Sequence, residues 1–197
     1  MTTPNLHTID PKRTALLVMD FQNATVGSIS EPDALLERVK SAIADVRAAG
    51  GTIGYVRVAF TEDDWAAVPI NTPFRQHAEA RMMHYEDTAS QIHPRIAPED
   101  GDIVVRKTRV GAMSTTDLDE QLSGRGIDTL VLTGIHTSGV VMATLVEAVD
   151  RDYHVIVLSD AVADPRADVH DILLNTIFPS RARVIDSATL RDLIQTA

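Results

Sequence analysis

The chain has 197 residues, no cysteine, and 28 acidic against 18 basic side chains, for a formal net charge of −10. Its length fits one compact domain spanning residues 1–197, and 44% hydrophobic with 23% charged residues excludes global disorder. The acidic balance argues against nucleic acid or an anionic membrane as partner; without cysteine there is no disulfide framework, thiolate metal site or thiol nucleophile.

Met1 to Arg13 has no apolar stretch ahead of its basic residues, so no secretory signal is expected there. Ala15 to Met19 is an apolar run without alternation, the pattern of a strand covered on both faces, and it ends in Asp20. Leu35, Leu36, Val39, Ile43 and Val46 recur at helical spacing, predicting a helix over 32–49 that Gly50 and Gly51 stop. Thr52 to Phe60 reads as a second strand. The interval from Thr61 to Gly101 holds Trp65, four prolines (Pro69, Pro73, Pro94, Pro98) and a short helical stretch from Phe74 to Met83. A connection this long is a lid, a partner-binding segment or an irregular surface excursion.

Regular alternation then resumes. Strands are predicted at Ile103 to Val105, Thr129 to Thr133, His154 to Ser159 and Arg183 to Ile185. The helices between and after them fall at Asp117 to Leu122, Ser138 to Arg151, Ala167 to Ile177 and Ala188 to Gln195. No run approaches the ~20 apolar residues that cross a bilayer, so no membrane is expected and a cytoplasmic location follows by default. Strand–helix alternation with apolar strands predicts a three-layer αβα, Rossmann-like fold: a six-stranded, mostly parallel sheet with helices on both faces. In such sheets ligands sit beyond the carboxyl ends of the strands, where strand order reverses. Chemistry is therefore sought in the polar residues that follow strands.

Three segments qualify. Asp20 is either a turn cap or a carboxyl held in a crevice, where desolvation would suit it to proton transfer near neutrality. Lys107, after Ile103-Val104-Val105, is either a solvated surface lysine or a cation paired with a crevice carboxylate. Thr133 to Thr144 runs from a strand through a small-residue turn into a helix whose first N–H groups favour an anion; Ser138 also fits as an ordinary N-cap, and His136 is a pocket or turn residue.

Together these segments resemble the isochorismatase-like hydrolases, which include nicotinamidases, N-carbamoylsarcosine amidohydrolases and isochorismatases. The resemblance runs from about Arg13 to Ser187. It rests on ALLVMDFQN ending its strand in Asp20, on Lys107 to Leu118 (KTRVGAMSTTDL), on Thr133-Gly-Ile-His-Thr137 leading into Val141-Met-Ala-Thr144, and on Ser159-Asp160-Ala161. In the amidase members it implies an Asp–Lys–Cys triad in which the thiolate attacks an amide carbonyl. Asp20 and Lys107 match the first two catalytic positions, while the cysteine position falls on Val140, which has no nucleophilic atom. Ser138 is a substitute two residues early.

Isochorismatases also lack the cysteine, having glycine there; they protonate a vinyl ether from the aspartate and let water attack. The resemblance further implies a cis peptide between Ile135 and His136, and substrate contacts from His136, Thr137, Val140 and Phe21. It also places Arg75, Gln76 and Arg81 where isochorismatases bind substrate carboxylates. Val140 is larger than glycine and His136 stands where those enzymes carry tyrosine, so the substrate is expected to differ from isochorismate. Nicotinamidases hold a divalent ion after the second strand; here that loop, Thr61 to Ala67, has carboxylates but no nearby histidine, and His77, His84 and His93 lack the i, i+4 spacing of helical ligands.

The expectation is thus a hydrolase acting on a small, in one reading carboxylated, molecule through Asp20 and Lys107 with activated water. No metal and no cofactor are expected, and the resemblance implies a homo-oligomer, dimer or tetramer. The alternatives are an inactive metabolite-binding protein and an assembly module of the same fold.

Overall fold

A computed structural model describes residues 9–195; the signal reading of Met1 to Arg13 and both ends of the 1–197 span lie partly outside them. Six strands form one sheet: β1 (Thr14–Met19), β2 (Thr52–Val58), β3 (Ile103–Lys107), β4 (Thr129–Ile135), β5 (His154–Ala163) and β6 (Arg183–Ile185), in the order β3-β2-β1-β4-β5-β6. Every pairing is parallel. Beyond β1 the chain works outward to β3, then returns to β4 on the other side. The β1/β4 boundary is therefore the point where strand order reverses, and the crevice at its carboxyl end is the natural ligand site.

The strands are apolar because both faces of the sheet are covered. Alternate residues of β1 enter opposite cores: Ala15, Leu17 and Met19 join one, Leu16 and Val18 the other. The first core is closed by α5 (Leu118–Gly124) and α6 (Met142–Val149) through Leu118, Leu122, Leu145 and Ala148. The second is closed by α2 (Pro32–Ala48) and α8 (Ser187–Gln195) through Leu35, Leu36, Val39, Ile43, Leu190 and Ile194. Among the described residues no helix is long and apolar enough to cross a membrane.

Element ends differ from the sequence expectation for physical reasons. The strands β3, β4 and β5 run past the predicted ends to Lys107, Ile135 and Ala163, because parallel pairing continues beyond the apolar runs. The helix expected from Ser138 begins instead as a wide turn, Thr137–Val141, broken at Gly139 (φ −101°, ψ −106°), and becomes regular only in α6. The expected 167–177 helix is α7 (Ala167–Ile172) followed by a second wide turn, Leu173–Ile177. Phe74 to Met83 shortens to α4 (Arg75–Glu79), since Arg81 and Met83 take positive φ (50° and 60°) that no helix continues through.

The Thr61–Gly101 interval carries α3 (Glu62–Ala66) and α4, with a small core of Phe60, Trp65, Val68 and Ala78. It is fastened to the sheet by backbone bonds between Phe60 and Met83 (2.9 Å) and between Tyr85 and Phe60 (2.8 Å). The buried Gln22, just ahead of the short helix α1 (Asn23–Val26), ties these parts together. Its amide donates to the carbonyls of Val58 (2.8 Å) and Ser90 (2.6 Å) and accepts from the Val58 N–H (2.9 Å).

Candidate active site

Asp20 is the first residue after β1 and has φ of 57°, in the left-handed region that aspartate tolerates better than most residues. The turn is held from both sides: the Asp20 N–H donates to the Val56 carbonyl (2.8 Å), and the Thr25 hydroxyl donates to the Asp20 carbonyl. Lys107 is the last residue of β3, two strands away. It reaches back so that Nζ lies 2.7 Å from Asp20 Oδ2, with side-chain exposures of 2% and 9% for the lysine and the aspartate. Nζ also donates to the Val110 carbonyl (2.6 Å), so the ammonium is fixed between two oxygens.

The other carboxyl oxygen, Asp20 Oδ1, is buried without a hydrogen-bond partner among the described residues. Burial pushes the Asp20 carboxyl above the ordinary carboxylate range, against the opposing pull of Lys107, then of His136 and of the Val58 N–H. A proton is thereby retained to higher pH than on an exposed aspartate.

This pair lies in a cavity of about 380 Å³ at the carboxyl ends of the strands. Ile135, His136, Gly139 and Val140 supply one wall, Thr25 and Ser28 another, and Phe60, Phe74, Met82 and Met83 an apolar one; Val58, His77, Arg109 and Val110 are also present. Ile135–His136 is a cis peptide. His136 Nε2 lies 3.2 Å from Ser28 Oγ, whose own proton goes to the Thr25 carbonyl (2.6 Å). Ser28 is therefore not held as a nucleophile by this histidine. Val140, buried, lines the cavity beside the pair. Gly134 allows that approach, because a Cβ there would stand 2.9 Å from Val141 Cγ2 and 3.2 Å from both Val140 Cγ1 and the Met19 carbonyl oxygen.

Several sequence-predicted contacts are not brought to this cavity. Phe21 packs into the second core among the sheet and α2 residues. Thr137 is buried, its hydroxyl 2.9 Å from His170 Nδ1. Arg75 pairs with Glu79 (2.8 Å) and Arg81 with Glu62 (2.7 Å), which occupies the charges meant for a substrate. Gln76 is exposed on α4, while its neighbour His77 lines the cavity. Ser138 is also accounted for: its N–H and hydroxyl donate to Asp164 at 2.8 and 2.6 Å, and it does not line the cavity. Burial acts to raise Asp164, but the Ser138 bonds outweigh it and hold that carboxyl below the usual range. Ser138 is thus an anchor for the turn and not a stand-in for cysteine.

Residues 14–189 match the isochorismatase domain model. The chain belongs to the isochorismatase family. It is 34% identical over 191 residues to the uncharacterized isochorismatase family protein YwoC of Bacillus subtilis, covering 97% of each chain. It is 32% identical over 179 residues to the ureidoacrylate amidohydrolase RutB of Methylorubrum extorquens, covering 77% of this chain and 70% of that one. Among solved structures, a cysteine hydrolase from Pseudomonas syringae pv. phaseolicola superposes with a TM-score of 0.87 at 25% identity, over 95% of both chains. This family member has no cysteine anywhere to serve as nucleophile.

The placement of Val140 makes a test. If its side chain faces the pair, Val140→Cys puts a thiol near the Lys107 ammonium, which favours the thiolate. Alkylation by iodoacetamide at pH 7 is expected to run about ten-fold or more faster than with free cysteine, since the thiolate fraction grows with each unit of pKa depression. Reactivity no greater than that of free cysteine would place the side chain away from the lysine.

Proposed function

We propose that this isochorismatase-family chain is a hydrolase for a small molecule, using water as the nucleophile and Asp20 as the group that moves the proton. The observation carrying this reading is the Asp20 carboxyl, which lines the cavity: one oxygen is held by Lys107 at 2.7 Å, and the other is buried without a hydrogen-bond partner among the described residues. In the protonated form, Asp20 donates to the substrate atom that accepts the proton, such as the terminal carbon of a vinyl ether. The carboxylate left behind is stabilised by Lys107. Water then adds to the electron-deficient carbon, and its surplus proton returns to Asp20. The resulting hemiketal collapses as its C–O bond to the leaving group breaks and its hydroxyl proton passes to the departing oxygen, giving a carbonyl compound and an alcohol; one water is consumed and the protein ends unchanged. Val140, hydrocarbon at the position of the family's cysteine, offers no atom for a covalent intermediate. The name of the RutB relative adds support for hydrolysis as the reaction class.

Screening vinyl ethers, amides and esters against the wild-type protein tests this. Turnover of at least one class is expected, with kcat/KM falling as pH rises through the Asp20 pKa, because the donor form is then lost. Saturable binding of small molecules with no turnover in any class would instead make the cavity a metabolite-binding pocket.

A further inference from the structure

Resting on that reading, we infer that the substrate carries an anionic group, a carboxylate in the simplest case, and that Arg109 is the residue that recognises it. Arg109 lies two residues beyond Lys107 and, among the described residues, is the one arginine that lines the cavity. Its guanidinium stands 5.5 Å from the centre of the Phe74 ring, also in the cavity wall, and one nitrogen donates to the Thr108 carbonyl (2.6 Å). Among the described residues no carboxylate lies within ion-pairing distance of it, and its remaining N–H donors have no acceptor. The other nitrogen-bearing side chains of the site are differently placed: Lys107 is held between Asp20 and Val110, and His136 lies against Ser28.

The contrast with the arginines first expected to bind anions is direct, since Arg75 and Arg81 are both spent on glutamates outside the cavity. Arg109 is also fixed in place. The loop that carries it is pinned to α6 by Thr144, which accepts from the Ala112 N–H (3.1 Å), and by Glu147, which accepts from the Met113 N–H (2.9 Å). Gly111 lets that loop lie against α6, because a Cβ there would stand 2.4 Å from the Glu147 carboxylate. A half-buried guanidinium lying over an aromatic ring, with no counter-ion among the described residues, is a preformed receptor for a planar anion. The apolar lining of Phe60, Met82, Met83 and Val110 asks for an apolar body. The substrate class is therefore a short apolar molecule ending in a carboxylate, with the scissile bond reaching Asp20.

Calorimetric titration with benzoate and with benzyl alcohol, its neutral counterpart, tests the assignment on wild type, Arg109→Gln and Arg109→Lys. Wild type is expected to bind benzoate about ten-fold or more tightly than the alcohol, the scale of a charge-assisted contact. Arg109→Gln should erase that preference without weakening the alcohol, and Arg109→Lys should keep part of it. Equal affinities in wild type, a preference that survives Arg109→Gln, or no saturable binding of benzoate would each overturn the proposal. The hydrolytic reading is judged separately, by turnover in the screen. Failure of that reading would show as no turnover beside an intact benzoate preference, whereas failure of the Arg109 assignment would show as turnover by a wild-type protein that has no benzoate preference.

Discussion

Asp20→Asn is expected to lower kcat on any substrate found by screening about 10²–10⁴-fold, the range carried by a positioned general acid. The amide keeps the shape of the carboxyl but has no proton to give. The loss should fall on kcat far more than on KM, because Asp20 acts on the reacting atoms, while Arg109 and the apolar wall hold the rest of the ligand. The acidic-form limb of the pH profile should vanish in the variant. Steady-state kinetics from pH 5 to 9 measure both effects. Full activity in Asp20→Asn would remove the acid–base assignment whatever the substrate.

Lys107→Met is expected to produce the largest stability effect, and a pH-dependent one. The variant leaves the Asp20 carboxyl buried with no counter-ion, and breaking a buried pair from one side costs about 3–5 kcal/mol. The carboxyl can escape part of that cost by holding a proton. Its folded pKa, already raised by burial, rises further once the ammonium is gone. A carboxyl whose folded pKa exceeds its unfolded value contributes stability below the unfolded pKa and loses it as pH rises through the folded one. The deficit of Lys107→Met relative to wild type should therefore be smallest in acid, below the ordinary carboxylate pKa, and grow as pH rises toward the raised folded value, where the full cost would lower Tm by about 10 °C. Asp20→Asn/Lys107→Met, with no buried charge left, should recover much of the loss. Thermal melts of the three proteins across that pH range decide it, and a pH-independent deficit would mean the pair is solvated.

What could be read from the sequence followed from how each feature is encoded. The strands were legible because a sheet covered on both faces needs unbroken apolar runs, and β1 shows it by sending alternate residues into the two cores. Asp20 and Lys107 stood out as polar residues ending such runs, and their 2.7 Å approach follows from the topology that puts both strand ends on one side of the sheet. Ser28, Phe74, His77, Met82 and Met83 carried no such signal. Their positions depend on α1 and on the Thr61–Gly101 excursion, which turns at the positive-φ residues Arg81 and Met83 and has no periodicity to reveal its path. Arg109 had a usable signal: a cation two residues past a strand that ends at the crevice. Arg75 and Arg81 fall where the resemblance places carboxylate ligands, but each pairs with a glutamate.

The most direct test of water as the nucleophile is a mass spectrum of the protein, quenched during turnover and again after many turnovers in H₂¹⁸O. The intact mass should equal that of the unmodified chain at every time, and the Asp20 peptide should carry no ¹⁸O. A transient adduct on any side chain, or ¹⁸O accumulating in the Asp20 carboxyl, would show that the protein itself attacks the substrate.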